Sequence, residues 1–207
     1  FKFIFFWEYL HRILGRIVGL LCLVPYLYFL IRGKLSPRMK VFGLALIGLV
    51  VGQGLMGWYM VKSGLVNNPE VSHYRLAAHL SLAFSVFGLA WWMMLSLRRG
   101  ETLARNLEAR WVRPWVLGVL GLLCAQIAYG AFVSGMKAGY GYNTFPMMGD
   151  EWKPDALFGL SPYWKNFFED KFTVQFIHRW MGTVLTAGLL LLGWRAFKSG
   201  VLSKLQI

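Results

Sequence analysis

Four histidines stand in the 207-residue chain, and three of them share a placement. His11, His79 and His178 each fall about five to seven residues into a long apolar stretch that starts from the same side, which at ~1.5 Å of rise per residue sets each about 10 Å deep. Three imidazoles at one level, on three helices running the same way, suit a six-coordinate haem. Its iron takes two axial nitrogens from opposite porphyrin faces, and helix bundles build such sites from facing helices. Ionisable groups within membrane spans are rare and usually functional. The alternative for any one of these residues is an isolated histidine bonded to a backbone carbonyl. Imidazole also suits zinc, copper and nickel. A compact site for a bare ion needs more ligands than these stretches offer, because there is no His-x-x-x-His and no nearby cysteine. A porphyrin brings four ligands of its own. His73 precedes the third apolar stretch and is read as a loop residue.

Other residues cluster around these histidines. Glu8 lies three residues before His11 and shares its helix face, so its carboxylate is placed to bond the imidazole or to move protons. An interfacial glutamate facing water is the competing reading. Gly15 and Gly182 each follow a histidine by four residues, where a missing side chain admits a flat macrocycle or a neighbouring helix. Haem propionates need cationic partners, and Arg12, Arg16, Arg75 and Arg179 all lie near the histidines. Arg75, four residues before His79 and nearer the surface, is the best placed, although the sequence does not decide among them.

The elements that carry these residues follow from composition. The chain is 57% hydrophobic and 15% charged, with the apolar residues in blocks long enough to cross a bilayer, which takes about 20 residues. Five spans are expected, over 4–31, 41–61, 74–97, 115–134 and 172–197. All are helical, since lipid offers open backbone groups no partners. The fold class is therefore an all-α polytopic transmembrane bundle.

The net charge of +13 sits in loops and not on a nucleic-acid face, so no nucleic-acid partner is expected and the lipid bilayer is the surrounding medium. Arg32, Lys34, Arg38 and Lys40 follow the first span; Arg98, Arg99, Arg105, Arg110 and Arg113 follow the third; Arg195, Lys198 and Lys204 close the chain. These belong inside by the positive-inside rule. The loop with Lys62 and Glu70, and the long loop 135–171 that balances its lysines with Asp150, Glu151, Asp155, Glu169 and Asp170, belong outside. That long loop is rich in aromatics, proline and glycine and suits a cap at the membrane interface; a passive connection is the alternative. Cys22 and Cys124 lie in apolar blocks, too few for a disulfide or zinc framework. The start at Phe1 reads as a piece of a longer protein, without a signal peptide.

The chain also resembles itself. His11-Arg12-Ile13-Leu14-Gly15 matches His178-Arg179-Trp180-Met181-Gly182. Gln53-x-x-x-Gly57 matches Gln126-x-x-x-Gly130, and a Lys-x-Gly follows each, at Lys62 and Lys137. Two related halves are expected, 1–97 and 98–207. No phosphate loop, dinucleotide fingerprint or nucleophile–base pair is present.

Several motifs resemble the haem A synthase family in its mitochondrial and proteobacterial branch. They are Glu8-Tyr9-Leu10-His11-Arg12, the stretch from Gln53 to Leu65, Tyr74-Arg75-Leu76-Ala77-Ala78-His79-Leu80, Gly141-Tyr142-Asn143-Thr144-Phe145-Pro146-Met147-Met148 and Gln175-Phe176-Ile177-His178-Arg179. The resemblance covers nearly the whole chain in order. It implies an eight-helix protein of two four-helix halves, with this chain supplying the second to sixth helices. It further implies an oxidoreductase that converts haem O, its substrate, to haem A for cytochrome oxidase assembly. By the same resemblance His11 and His79 hold the substrate haem, and His178 is one ligand of a haem b whose other ligand lies on a later helix. Glu8 matches a glutamate implicated in the oxidation. Expected partners are a haem O synthase and an electron-transfer protein, with a homo-oligomer possible, in a bacterial plasma membrane or mitochondrial inner membrane with the histidines toward the outer side. A non-catalytic bis-histidine haem protein, cytochrome b-like or haem-handling, is the alternative; a transporter with structural histidines is a third.

Overall fold

A computed structural model of the chain describes residues 2–64, 71–99 and 111–199. Of the loop residues used for topology, Glu70, Arg105, Arg110 and Lys204 lie outside these, as does Leu65 of the second-span motif. The elements are α1 (Lys2–Ile31), α2 (Pro37–Gly64), α3 (His73–Arg99), α4 (Val112–Gly135), the short α5 (Asn166–Glu169) and α6 (Lys171–Lys198). Among the described residues there is no strand, only an isolated bridge between Met148 and Glu151. Five helices are long and apolar enough to cross a membrane: Phe5–Ile31, Pro37–Lys62, His73–Arg98, Val112–Gly135 and Lys171–Lys198. The chain is thus a polytopic helical membrane protein, as its apolar blocks require.

Several helices run a few residues past the apolar blocks, and local stops and caps set some of their ends. Gly33, at φ 63°, closes α1. Its N–H bonds Leu30 O at 3.1 Å, and Lys34 N–H bonds Phe29 O at 3.0 Å, a left-handed glycine stop that satisfies the last carbonyls. Three residues on, Ser36 Oγ accepts from Met39 N at 3.3 Å and Pro37 occupies the first helical position, where its missing N–H costs nothing. α2 therefore starts at Pro37 and not at 41. His73 is not a loop residue but the first residue of α3, with Leu76 N–H bonded to Ser72 O at 3.1 Å.

The chain divides into two compact units. One holds α1, nearly all of α2 and α3 from Leu82 onward; the other holds α3 up to Ser81, α4, α5, α6 and the long loop. In the first, helices approach over small residues. A Cβ on Gly19 would meet Val50 at 3.7 Å, the Tyr26 ring lies over Gly43, and Tyr26 Oη donates to Lys40 O at 3.0 Å. In the second, Ala77, Ala131, Phe132 and Val174 form a buried cluster flanked by Leu76, Leu80, Tyr129, Val133 and Met136. The N-terminal turns of α3 and α6 thus meet the C-terminal turns of α4. Leucines such as Leu20, Leu21 and Leu190 stay exposed, as lipid-facing residues do when packing relies on small residues and not on hydrophobic exclusion.

The loop from Met136 to Asp170 is built, not slack. Asn166, fully buried, accepts from Leu160 N at 2.8 Å and donates to Leu160 O and Tyr163 O at 2.9 and 2.8 Å. Thr144 Oγ1 donates to Met147 O at 2.9 Å and accepts from Gly149 N at 2.7 Å. Phe158 N donates to Thr173 Oγ1 at 3.0 Å. Around these polar knots Tyr140, Phe145, Trp152, Tyr163 and Trp164 stay exposed, a composition suited to the headgroup level.

Candidate functional site

α6 begins at a charged cap. Asp170 accepts from Phe172 N at 3.1 Å and from Thr173 Oγ1 at 2.6 Å, satisfying donors that a helix start leaves open. Two turns on, His178 packs against α4. A Cβ added at Gly130 would stand 3.1 Å from His178 Cε1, so the imidazole lies almost on that glycine. One turn further, a Cβ at Gly182 would stand 2.8 Å from Gln126 Nε2. Gln126 Nε2 in turn lies 3.5 Å from His178 Nε2. The seam is reciprocal: α6 presents a histidine and a glycine four residues apart, and α4 presents a glutamine and a glycine four residues apart in the opposite sense. Each glycine receives the other helix's polar side chain. The space beside Gly182, read from sequence as room for a macrocycle or a helix, is taken by Gln126. Both four-residue spacings were visible as repeats, but only the antiparallel packing shows that they face each other.

The polar atoms of this seam are not all satisfied. His178 Nδ1 and Gln126 Oε1 are buried without a hydrogen-bond partner, an expensive condition unless another group completes them. Among the described residues no group of three or more His, Cys, Asp or Glu could hold a metal ion. A single half-buried imidazole with no companion ligands suits an iron that arrives with its own four porphyrin ligands better than a bare ion.

The same helix is tied to the loop. Arg179 Nη1 donates to Thr144 O and, at 3.4 Å, to Met147 O; its Nη2 donates to Tyr142 O. Gln175 Nε2 donates to Tyr142 O at 2.8 Å, and the Trp152 ring lies tilted 33° against Trp180, centroids 6.1 Å apart.

At the start of α3, His73 packs edge-on to Phe132, centroids 5.3 Å apart at 90°, and its backbone lies against Gly135, where a Cβ would come within 2.8 Å of His73 Cα. Arg75 and His79 are half-buried on the same helix, and each has an interaction partner. In the first unit, Glu8 and Arg12 form an ion pair along α1, their side chains 50% and 49% exposed. The carboxylate therefore meets the i+4 arginine rather than the i+3 imidazole. His11 and Arg16 are exposed, and among the described residues nothing lies within 4 Å of a Cβ placed on Gly15.

Fold and seam define an integral membrane protein that carries a histidine on a glycine-lined helix interface. Residues 1–206 match the family model described as cytochrome oxidase assembly protein, COX15-CtaA, and the chain belongs to that family. It is 46% identical over 182 residues to the heme A synthase of Nitrosospira multiformis, covering 86% of this chain and 51% of that protein. It is 40% identical over 202 residues to that of Rhodospirillum centenum, covering 97% and 53%. To the mouse heme A synthase COX15 it is 45% identical over 199 residues, covering 93% and 48%. The chain spans about half the length of the curated relatives it matches. No solved structure matches it.

Proposed function

We propose that this chain carries the chemistry of a haem A synthase, oxidising a methyl group of haem O to the formyl group of haem A for cytochrome oxidase assembly. The observation that carries the reading is His178, half-buried on the glycine-lined seam of α4 and α6, within a family whose curated relatives bear that name. His178 would hold a haem b. His11 and His79, one in each compact unit, would be the residues that the resemblance to the family assigns to the substrate haem O. Arg75 stands one turn before His79 as a propionate partner. Glu8, on the turn that carries His11, holds or moves a proton at its carboxylate, and Arg12 fixes that carboxylate in place. Gly15 leaves the face beside His11 open to a flat ligand, and Gly182 lets Gln126 reach His178.

Bound haem supplies a redox-active iron. Methyl to aldehyde requires two successive two-electron oxidations; with water supplying the formyl oxygen, four protons and four electrons are released, and the electrons would leave by the second haem or to an outside partner. An electron-transfer protein, a haem O synthase and a second copy of the chain are the partners this reading calls for. The loop charges favour histidines on the outer side of a bacterial plasma membrane or mitochondrial inner membrane. The two halves 1–97 and 98–207 are the duplicated units in which the two sites arose.

The test is to supply full-length protein with haem O and analyse the extracted haem. Hydroxylated or formyl haem is expected. Neither, from protein with haem correctly bound, sinks the enzyme reading. The competing reading, a non-catalytic bis-histidine haem protein, draws on the Glu8–Arg12 pairing, which leaves Glu8 without an imidazole contact. Glu8→Ala separates the two: haem retained and oxidation lost under the first, both unchanged under the second.

A further inference from the structure

Arg179 follows His178 directly, and an arginine there is naturally taken as a counter-charge for a carboxylate ligand. Its guanidinium is committed elsewhere. Three main-chain carbonyls, of Tyr142, Thr144 and Met147, converge on this one side chain. Gln175, one turn earlier and buried, donates to the Tyr142 carbonyl as well. Residues four apart share a helix face, so Gln175 and Arg179 form a loop-facing stripe beside the stripe of His178 and Gly182 that faces α4. The anchored segment is itself closed by Thr144, whose hydroxyl accepts from Gly149 N at 2.7 Å, and by Met148 N donating to Glu151 O at 2.8 Å. Holding the Thr144 carbonyl therefore holds the whole turn. Only a planar fork with several fixed donors can serve carbonyls that diverge in this way; an ammonium is a point charge.

We propose that Arg179 is a positioning residue that straps segment 142–149 across the flank of α6 beside His178, and that it is not the anion partner of the ligand. The proposal rests on the reading of His178 as a haem ligand for its effect on the iron, though not for the strap itself. Carbonyl acceptors leave the cation in place while fixing the loop. A segment held on the helix face next to His178 would limit water there, and solvent access is one of the properties that set a metal site's potential.

The experiment compares Arg179→Lys, Arg179→Gln and Gln175→Leu in the full-length, haem-loaded protein. Hydrogen exchange at the Met148 and Gly149 amides reads the strap. The midpoint potential and low-spin spectrum of the haem at His178 read its consequence. Both arginine variants are expected to exchange about tenfold faster or more at these amides, as a local opening does, with haem content retained and the potential lowered. Gln175→Leu, which removes one of the ties, should fall between them and wild type. Lysine restoring wild-type exchange and potential overturns the proposal, because a point charge would then suffice. Unchanged exchange in Arg179→Gln with haem lost overturns it too, in favour of an anion partner. If His178→Ala leaves the haem spectrum of the parent unaltered, the reading of His178 fails, while the exchange measurements still judge the strap.

Discussion

The sequence His-Arg-x-x-Gly occurs at 11–15 and again at 178–182, and the two copies live differently. In α6 each residue of the motif is engaged by another part of the chain. His178 rests on Gly130, Arg179 holds three loop carbonyls, and Gly182 receives Gln126. In α1 the arginine turns back one turn onto Glu8, the histidine is exposed, and Gly15 meets no other described residue. One motif thus yields a packed histidine and an open one. A ligand-bearing sequence specifies which donors are offered, while the neighbouring helix decides whether the pocket is already shaped.

That contrast is exposed to test most severely at the histidines. His178→Ala should abolish the low-spin haem signal of the packed seam completely, and His11→Ala should leave that signal and remove substrate-haem binding instead. Equal loss in both variants would mean that the copies are not independent. Next in size is Gly135→Ala. Its Cβ would come within 2.7–2.8 Å of His73 Cβ and Cα, and backbone cannot step aside, so a loss of about 1–3 kcal/mol is expected from overpacking, read as a lowered thermal midpoint in detergent. Gly15→Ala, with nothing in reach, should not lower it. Asn166→Ala strips three bonds from the loop beside the packed seam and leaves buried main-chain groups open, costing about 1–3 kcal/mol. Faster proteolysis of the loop would report it; an unchanged rate would show that the knot does not hold the loop. The smallest effect belongs to Gly182→Ala. The clashing atom is the far end of a flexible glutamine, so stability should barely move. The spectrum of the haem at His178 should move, because Gln126 is pushed from the imidazole. The matching Gly15→Ala should change neither.

The spans were legible because lipid removes the choice of backbone: an apolar block of that length must be a helix. Their ends were less so. Ser36 with Pro37, and Asp170, are caps whose effect outruns the apolar block by a few residues. His73 was misplaced because α3 begins just before the first residue of its apolar block, Tyr74. The matched depth of the histidines came from counting. What each touches did not. Glu8 could face either the i+3 imidazole or the i+4 guanidinium, and helical spacing alone ranks them equally. Gln126 and Gly182 were each conspicuous, yet their meeting depends on the lateral register of α4 against α6, which no single-helix pattern encodes. The acceptors for Arg179 are main-chain carbonyls, present at every residue and therefore silent in a sequence.

The cap at Asp170 has a consequence for where the chemistry can sit. Its carboxylate is bonded to the first turn of α6 and, carrying charge, resists being drawn into hydrocarbon. His178 comes eight residues later, which is about 12 Å along the helix axis. Asp170 thus works as the zero mark of a ruler that sets the depth of the imidazole. One residue inserted between them would sink His178 by roughly 1.5 Å and swing it about 100° around the axis, off Gly130 altogether. The height of the iron would then be a property of the water line as much as of the seam.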